Sequence, residues 1–172
     1  MKVMISKYFY TYFIKFEALL GKLLSACLWI MVASLVIGVV CRYFLSIGAT
    51  ALNDLALYMQ ASIVLLGLSI TLKHDRHVRL DILYSRSSNT QKRWVNLFGN
   101  LIFLFPFSLF LIFACFDYVN RSWILLEESS EAGGLGGIYI IKSFLILGPA
   151  LVSIRSLTDI TQLLVSLPKK DE

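Results

Sequence analysis

The sequence predicts an all-α integral membrane protein with four transmembrane helices, an N-terminal interfacial amphipathic helix and both termini in the cytoplasm. The composition is the first reason. Hydrophobic residues make up 58% of the 172 residues and charged residues only 16%, whereas soluble proteins average roughly 45–50% and about 25%. The second reason is that the excess is concentrated in long uncharged runs, which are typical of helices that cross a bilayer.

The first 21 residues have a basic side and an apolar side. Aromatic and aliphatic residues recur at spacings of three and four, while Lys7, Lys15 and Lys22 fall within one sector of the same helical wheel. A helix with this pattern lies at the level of the lipid headgroups. Residues 1–21 are therefore predicted as an interfacial helix, and a simple positively charged anchor is the alternative.

Four apolar runs follow in the sequence. The first three, residues 23–41, 55–72 and 94–116, hold 19, 18 and 23 residues without a charge, and a spanning helix needs about 20. A single membrane domain, 1–172, is therefore predicted. Its spans, with flanking residues, are expected at 22–44, 54–72, 94–116 and 138–165.

The fourth run is interrupted by three charged residues. Lys142 lies near its start, where a long side chain can extend toward water. Arg155 and Asp159 are four residues apart, so they lie on one helical face and partly neutralise one another. We therefore interpret this run as a span as well.

The distribution of Lys and Arg predicts the orientation. The N-terminal segment, the loop 73–93 and the C-terminal part together carry 13 of the 16 cations, and the other two loops carry three. Loops rich in Lys and Arg remain in the cytoplasm, so the acidic stretch 127–131 is expected on the outside. The net charge of +5 belongs to these loops, and nucleic acid is not expected as a partner.

Polar residues near or within the spans predict local contacts. Gln60 and Asn100 lie in apolar surroundings and are expected to face protein, because hydrocarbon offers an amide no hydrogen-bonding partner. Asn53 and Asp54 can cap the second helix. Pro106 removes one backbone hydrogen bond and is expected to bend the third span.

No pattern in the sequence indicates catalysis. The two histidines, His74 and His77, are too few for a metal site, and no serine elbow, HExxH or complete phosphate-loop motif occurs. The glycines of 133–137 are interpreted as flexible backbone. No catalytic residue, metal or cofactor is predicted, and uncharged centres in the first three spans argue against a complete transporter.

Several short motifs occur in the order known from one family. They are Arg42-Tyr43-Phe44, Asn53-Asp54 with Tyr58, Gly67, His77-Val78-x-Leu80-Asp81, Ser122-Trp123 through Glu128-Ser129, Gly133-Gly134-Leu135 and Lys142. Together with four spans they resemble the small membrane subunit (Q subunit) of tripartite ATP-independent periplasmic (TRAP) transporters, over about residues 20–165. One departure is Leu52-Asn53-Asp54, which stands where that family often has Trp before an acidic residue that is usually Glu.

The resemblance implies a scaffold in the bacterial inner membrane. In that family a large elevator-type membrane subunit carries the substrate and sodium sites, and a periplasmic substrate-binding protein delivers an organic acid. The small subunit would brace the large subunit, surrounded by membrane lipids, and would be neither an enzyme nor a carrier by itself.

Eight residues are candidates for structural or partner contacts. They are Arg42, Asp54, Gln60, His77, Asp81, Asn100, Lys142 and Arg155. Among them, Arg42 and Asp54 are expected to pair across the first loop. His77 and Asp81 are expected to order the cytoplasmic loop or to contact the large subunit.

Two alternatives to the scaffold remain at this point. One is a stand-alone four-helix membrane thiol oxidoreductase, although Cys27, Cys41 and Cys115 form no CxxC pair. The other is a small independent transporter.

Overall fold

The computed structural model describes residues 2–73 and 89–166, and these residues form helices joined by short loops. The elements are α1 (Lys2–Phe44), α2 (Thr50–Lys73), α3 (Asn89–Phe98), a π-helical segment (Gly99–Leu104), α4 (Phe105–Ile124) and α5 (Ile138–Ser166). No strand occurs in these two ranges. The all-α class is confirmed.

Four helical stretches are long and apolar enough to cross a membrane. They are Tyr12–Phe44, Thr50–Leu72, Trp94–Ile124 and Ile138–Leu163. The third combines most of α3, the π-helical segment and α4, which follow one another without a break. The prediction of four membrane-spanning helices is therefore confirmed.

Helix α1 is continuous where the sequence suggested two helices. It passes through Gly21 and Lys22 without interruption over 43 residues, which corresponds to about 65 Å at 1.5 Å per residue. Buried positions in α1 include Phe13 and Glu17, so α1 is packed against its neighbours well before the predicted span boundary at residue 22. A surface location of residues 2–21 stays a prediction.

The helices pack as an open row in the order α1, α2, α5, α4. Helix α1 packs along α2, α2 along α5, and α5 along α4, whereas α1 and α5 meet at few positions. Among the described residues no extensive contact joins α1 to α4, although a closed four-helix bundle would contain one. Each apolar stretch consequently has only 11% to 28% of its residues buried within this chain.

Small residues allow α2 to approach both of its neighbours. On the α1 side, Ser34 is 4% exposed, and a Cβ on Gly38 would lie 3.8 Å from the Cβ atoms of Ala49 and Leu52. On the α5 side, a Cβ on Gly148 would overlap the carbonyl oxygen of Leu65. Such close backbone approach is the usual role of small residues in membrane helices.

Serine hydroxyls join α4 to α5. Ser108 and Ser153 are both buried, and their hydroxyls lie 2.7 Å apart in a hydrogen bond. The Ser153 hydroxyl also bonds the Pro149 carbonyl at 2.9 Å. Inside hydrocarbon such a pair is favourable because lipid supplies no competing partner.

The region before Pro106 is π-helical. The Phe105 N–H donates to the Asn100 carbonyl five residues earlier, and proline has no N–H to continue the α-helical pattern. The Ser156 hydroxyl of α5 approaches the same Asn100 carbonyl at 3.3 Å. Before Pro106 the helix therefore has a π-helical turn, and the Asn100 carbonyl in this turn accepts a hydrogen bond from Ser156 of α5.

We predict that Gly148→Ala destabilises the protein. The new Cβ would meet the Leu65 carbonyl carbon at 3.0 Å and overlap its oxygen, so the two helices must separate, at a cost of about 1–3 kcal/mol. A thermal melt of the purified protein in detergent should show a lower Tm. Gly67→Ala is the matched control, because its Cβ would meet only Leu24 Cδ1 at 3.7 Å. An equal decrease in Tm in both variants would contradict the prediction.

Candidate functional site

Polar contacts cluster at the two ends of the helical row. We call the end with the start of α1 and the end of α5 the terminal end, and the end with loops 45–49 and 125–137 the loop end. A buried ion cluster lies toward the terminal end, and loop 125–137 is bonded to α2 and α5 at the loop end. Between them, the described side-chain bonds are mainly those of serines and Asn100.

The buried cluster is centred on Arg155 of α5. Its Nη1 lies 3.1 Å from Oε2 of Glu17, and its Nε and Nη2 lie 3.1 Å from Oδ2 and Oδ1 of Asp159. The guanidinium therefore binds Asp159 in a bidentate manner and Glu17 through its remaining nitrogen, which is the geometry that arginine favours with carboxylates. The sequence prediction paired Arg155 only with Asp159.

Burial makes this cluster energetically important. Glu17 is 1% exposed and Arg155 is 6% exposed. Removing two opposite charges from water costs several kcal/mol for each ion, and the loss is compensated only when the charges are closely paired. The Glu17–Arg155 pair also joins α1 to α5, which otherwise have few contacts.

Glu17 was not among the candidates from the sequence. It shares the buried side of α1 with Phe13 and Leu24, at spacings of four and seven residues. An acidic residue on the apolar face of a basic helix was the available signal. Its partner lies 138 residues away in the sequence, so the spacing of residues could not identify the pair.

At the loop end, α2 binds both backbone groups of one residue. The Leu135 N–H donates to Asp54 Oδ2 at 2.9 Å, and the Tyr58 hydroxyl donates to the Leu135 carbonyl at 2.8 Å. A Cβ on Gly134 would lie 2.5 Å from Asp54 Oδ2, so glycine permits this approach. The glycine-rich segment, interpreted from the sequence as flexible backbone, is held by hydrogen bonds to α2.

The expected pairing of Arg42 with Asp54 is wrong. Arg42 is exposed, and no ion pair or hydrogen bond joins these two described residues. The Asp54 carboxylate instead accepts the Leu135 N–H. The expected helix cap at residues 53–54 is also wrong, because α2 begins one turn earlier, at Thr50.

Lys142 and Glu127 form an ion pair at the loop end. Lys142 Nζ lies 2.5 Å from Glu127 Oε2, which also accepts a hydrogen bond from the Ser122 hydroxyl at 2.7 Å. The ammonium lies 4.2 Å from the ring centroid of Tyr118, a cation–π distance. The hydrogen bonds from Lys142 and then Ser122 hold the pKa of Glu127 below its ordinary value.

The remaining candidates have different surroundings. Asn100 is half-buried, and its amide donates to the Asn96 carbonyl at 2.9 Å, with Ser156 nearby on α5. Gln60 is exposed and does not face another helix of this chain. His77 and Asp81 lie outside the described residues.

Within ranges 2–73 and 89–166, no group of three His, Cys, Asp or Glu side chains could hold a metal ion. Cys27, Cys41 and Cys115 are free and half-buried. The polar groups that the structure brings together join helices and loops to one another.

We predict that Arg155→Met lowers the free energy of unfolding by about 3–5 kcal/mol, because the buried Glu17 carboxylate loses the guanidinium that binds it. The double variant Glu17→Gln with Arg155→Met also removes the Glu17 charge and should recover part of this loss, since the remaining carboxylate, Asp159, is partly exposed. Steric-trapping measurements in bicelles would provide the free energies. The control is Lys22→Met, which removes an exposed cation of α1 and should change the free energy of unfolding little. A double variant as unstable as Arg155→Met would contradict the prediction.

We predict a pH-dependent change at the loop end. The pKa of Glu127 is lowered in the folded protein from its ordinary value of 4.5. The stabilisation from the pair is therefore fully present above pH 4.5 and is lost as the pH falls through the lower folded-state value. Trp123 reports on this region, because its indole donates to the Ser143 hydroxyl at 2.8 Å.

The measurement is Trp123 fluorescence between pH 7 and pH 3, in a variant with Trp29→Phe and Trp94→Phe. A red shift is expected with a midpoint below pH 4.5. Glu127→Gln should lack this transition because its side chain does not titrate. A midpoint above pH 4.5, or an identical transition in Glu127→Gln, would show that another group is responsible.

Comparison with known proteins identifies the family. A family model described as "Tripartite ATP-independent periplasmic transporters, DctQ component" matches residues 31–166, which include α2 to α5 and the second part of α1. No curated protein and no solved structure matches the chain. The family match confirms the resemblance seen in the sequence and, with four helices able to span a membrane, supports a multi-pass protein of the inner membrane. The chain belongs to the DctQ component family of the tripartite ATP-independent periplasmic transporters.

Proposed function

We propose that this chain is the static small membrane subunit of a TRAP transporter. It braces a large elevator-type membrane subunit during sodium-coupled uptake of an organic acid, which a periplasmic binding protein delivers. The supporting observation is the buried Glu17–Arg155–Asp159 cluster, which joins α1 to α5, two helices that are not neighbours in the row. A subunit that supports a moving partner must keep its own helices in register.

The loop end adds a second set of connections. Asp54 and Tyr58 of α2 bind Leu135, and Lys142 of α5 binds Glu127. The loop 125–137 is therefore linked to α2 and to α5, which are neighbours in the row. Relative sliding of α2 and α5 would break these bonds, so the row is suited to act as one unit.

The described spans lack the usual components of a transport pathway. Pathways in secondary transporters use helices broken by unwound segments and charged groups near the middle of the bilayer. Here the cluster at Arg155 lies toward the terminal end, and its charges are paired. The substrate and sodium sites are accordingly assigned to the large subunit.

The orientation in this proposal follows the distribution of cations. The terminal end, together with loop 73–93, faces the cytoplasm, because 13 of the 16 Lys and Arg residues belong to that side. The loop end, with Glu127, Glu128 and Glu131, faces the periplasm. Tipping the row would move Lys and Arg into hydrocarbon, at about 2.5–3.5 kcal/mol for each at the bilayer centre.

The proposal is tested by reconstitution into proteoliposomes. Vesicles would contain this chain, the large membrane subunit, or both, with the binding protein added outside and a panel of radiolabelled mono- and dicarboxylic acids as probes. Uptake driven by a sodium gradient is expected only when both membrane subunits are present. Arg155→Met should reduce that uptake, whereas Lys22→Met should not.

Two results would overturn the proposal. One is uptake by vesicles that contain this chain alone, which would make it a carrier. The other is full uptake by the large subunit without this chain, which would remove the need for a brace.

A further inference from the structure

One uncovered stripe on α2 combines apolar residues with a central amide. Its members recur at spacings of three and four, and all are exposed: Leu57, Gln60, Val64, Leu68 and Thr71. The stripe lies between the α1 side of the helix, where Gly67 adjoins Leu24, and the α5 side, where Leu65 adjoins Gly148. It therefore runs along one broad face of the open row. We call it the α2 stripe.

Gln60 lies near the middle of its span. It follows Thr50 by ten residues and precedes Leu72 by twelve, about 15 Å and 18 Å along a helix axis. No hydrogen bond joins its amide to another described side chain or carbonyl. Hydrocarbon supplies neither donors nor acceptors, so an amide at this depth is costly unless another protein covers it.

The other uncovered faces differ from the α2 stripe. Exposed mid-span residues on those faces are apolar, for example Trp29, Val32 and Val36 on α1 and Phe103, Phe110 and Phe113 on α4. Lipid chains can cover such side chains without loss of hydrogen bonds. Thr71 of the α2 stripe is also satisfied within the chain, because its hydroxyl donates to the Gly67 carbonyl at 3.0 Å. Gln60 therefore distinguishes the stripe from these surfaces.

An apolar groove adjoins the α2 stripe. It has a volume of about 120 Å³ and is lined by Leu68 and Leu72 of α2, by Pro149 and Val152 of α5, and by Leu104, Phe107, Ser108 and Leu111 of the π-helical segment and α4. Leu68 belongs to both the groove and the stripe. The groove and the stripe thus form one continuous surface with an apolar depression beside a hydrogen-bonding group.

We propose that this surface binds a transmembrane helix of the large membrane subunit. Gln60 exchanges hydrogen bonds with a polar side chain or a free carbonyl of that helix, and an apolar side chain of the same helix fills the groove. The inference rests on the proposed function, since membership of a tripartite transporter family implies a large membrane partner. The outer faces of α1 and α4 are assigned to lipid.

Site-specific photocrosslinking in the assembled transporter tests this surface. A photoreactive amino acid replaces Val64 on the α2 stripe, Val36 on α1 or Phe110 on α4, and membranes are irradiated before purification. We expect Val64 to form adducts with the large subunit, and Val36 and Phe110 to form none. Val64 is chosen because it adjoins Gln60 and leaves the amide in place.

A substitution measures the role of the amide. Gln60→Leu is expected to retain about three-fold less large subunit on a detergent affinity column, a typical effect for one interhelical hydrogen bond in a membrane. Thr71→Val is the matched control on the same stripe and should retain the normal amount, because the Thr71 hydroxyl is satisfied within α2.

The results separate this inference from the proposed function. Large-subunit adducts at Val36 or Phe110 but not at Val64 would overturn the inference and leave the bracing role intact. A Val64 adduct between two copies of this chain, or to lipid alone, would also overturn it. Failure of the large subunit to associate with the unaltered chain would overturn both proposals.

Discussion

The structure depends on how a buried guanidinium is paired in a protein with little internal core. Arg155 can remain buried only because Glu17 and Asp159 occupy all three of its nitrogens, since an unpaired charge would cost several kcal/mol. This requirement brings α1 to α5, which are not neighbours in the open row and otherwise share few contacts. The electrostatic requirement thus determines a helix arrangement that apolar packing alone would not specify, because lipid covers apolar surfaces as well as protein does.

The same physical rule accounts for the distribution of other polar groups. Ser108 and Ser153 bond one another between α4 and α5, and Leu135 bonds α2 through both of its backbone groups. In a bilayer the hydrophobic effect does not drive helices together, so small residues and hydrogen bonds specify the neighbours. Among the described residues Gln60 is a mid-span amide left exposed, and this rule is the basis for proposing that a partner covers it.

The pairing predicted between Arg42 and Asp54 was wrong because it used proximity along the chain. Arg42 and Asp54 flank one short loop, yet the Asp54 carboxylate is bound to Leu135, 81 residues later in the sequence. The close approach of Gly134 to α2 likewise joins residues far apart in the sequence. Helix α1 continues through residues 2–21 and Glu17 is buried in the packed row, while the interfacial location expected from the charge pattern of residues 1–21 stays a prediction.

The sequence by itself determined the helical class, the four spans and the family, because charge-free length and the order of short motifs are properties of the chain alone. It also placed Arg155 and Asp159 on one helical face, since a four-residue spacing is local to the helix. Only the tertiary structure decided the order of helices in the row, the partner of Arg155 on α1 and the exposure of Gln60. Those features depend on contacts between residues far apart in the chain. A membrane helix is apolar on nearly all sides, so the spacing of its apolar residues does not show which face packs on another helix and which face contacts lipid.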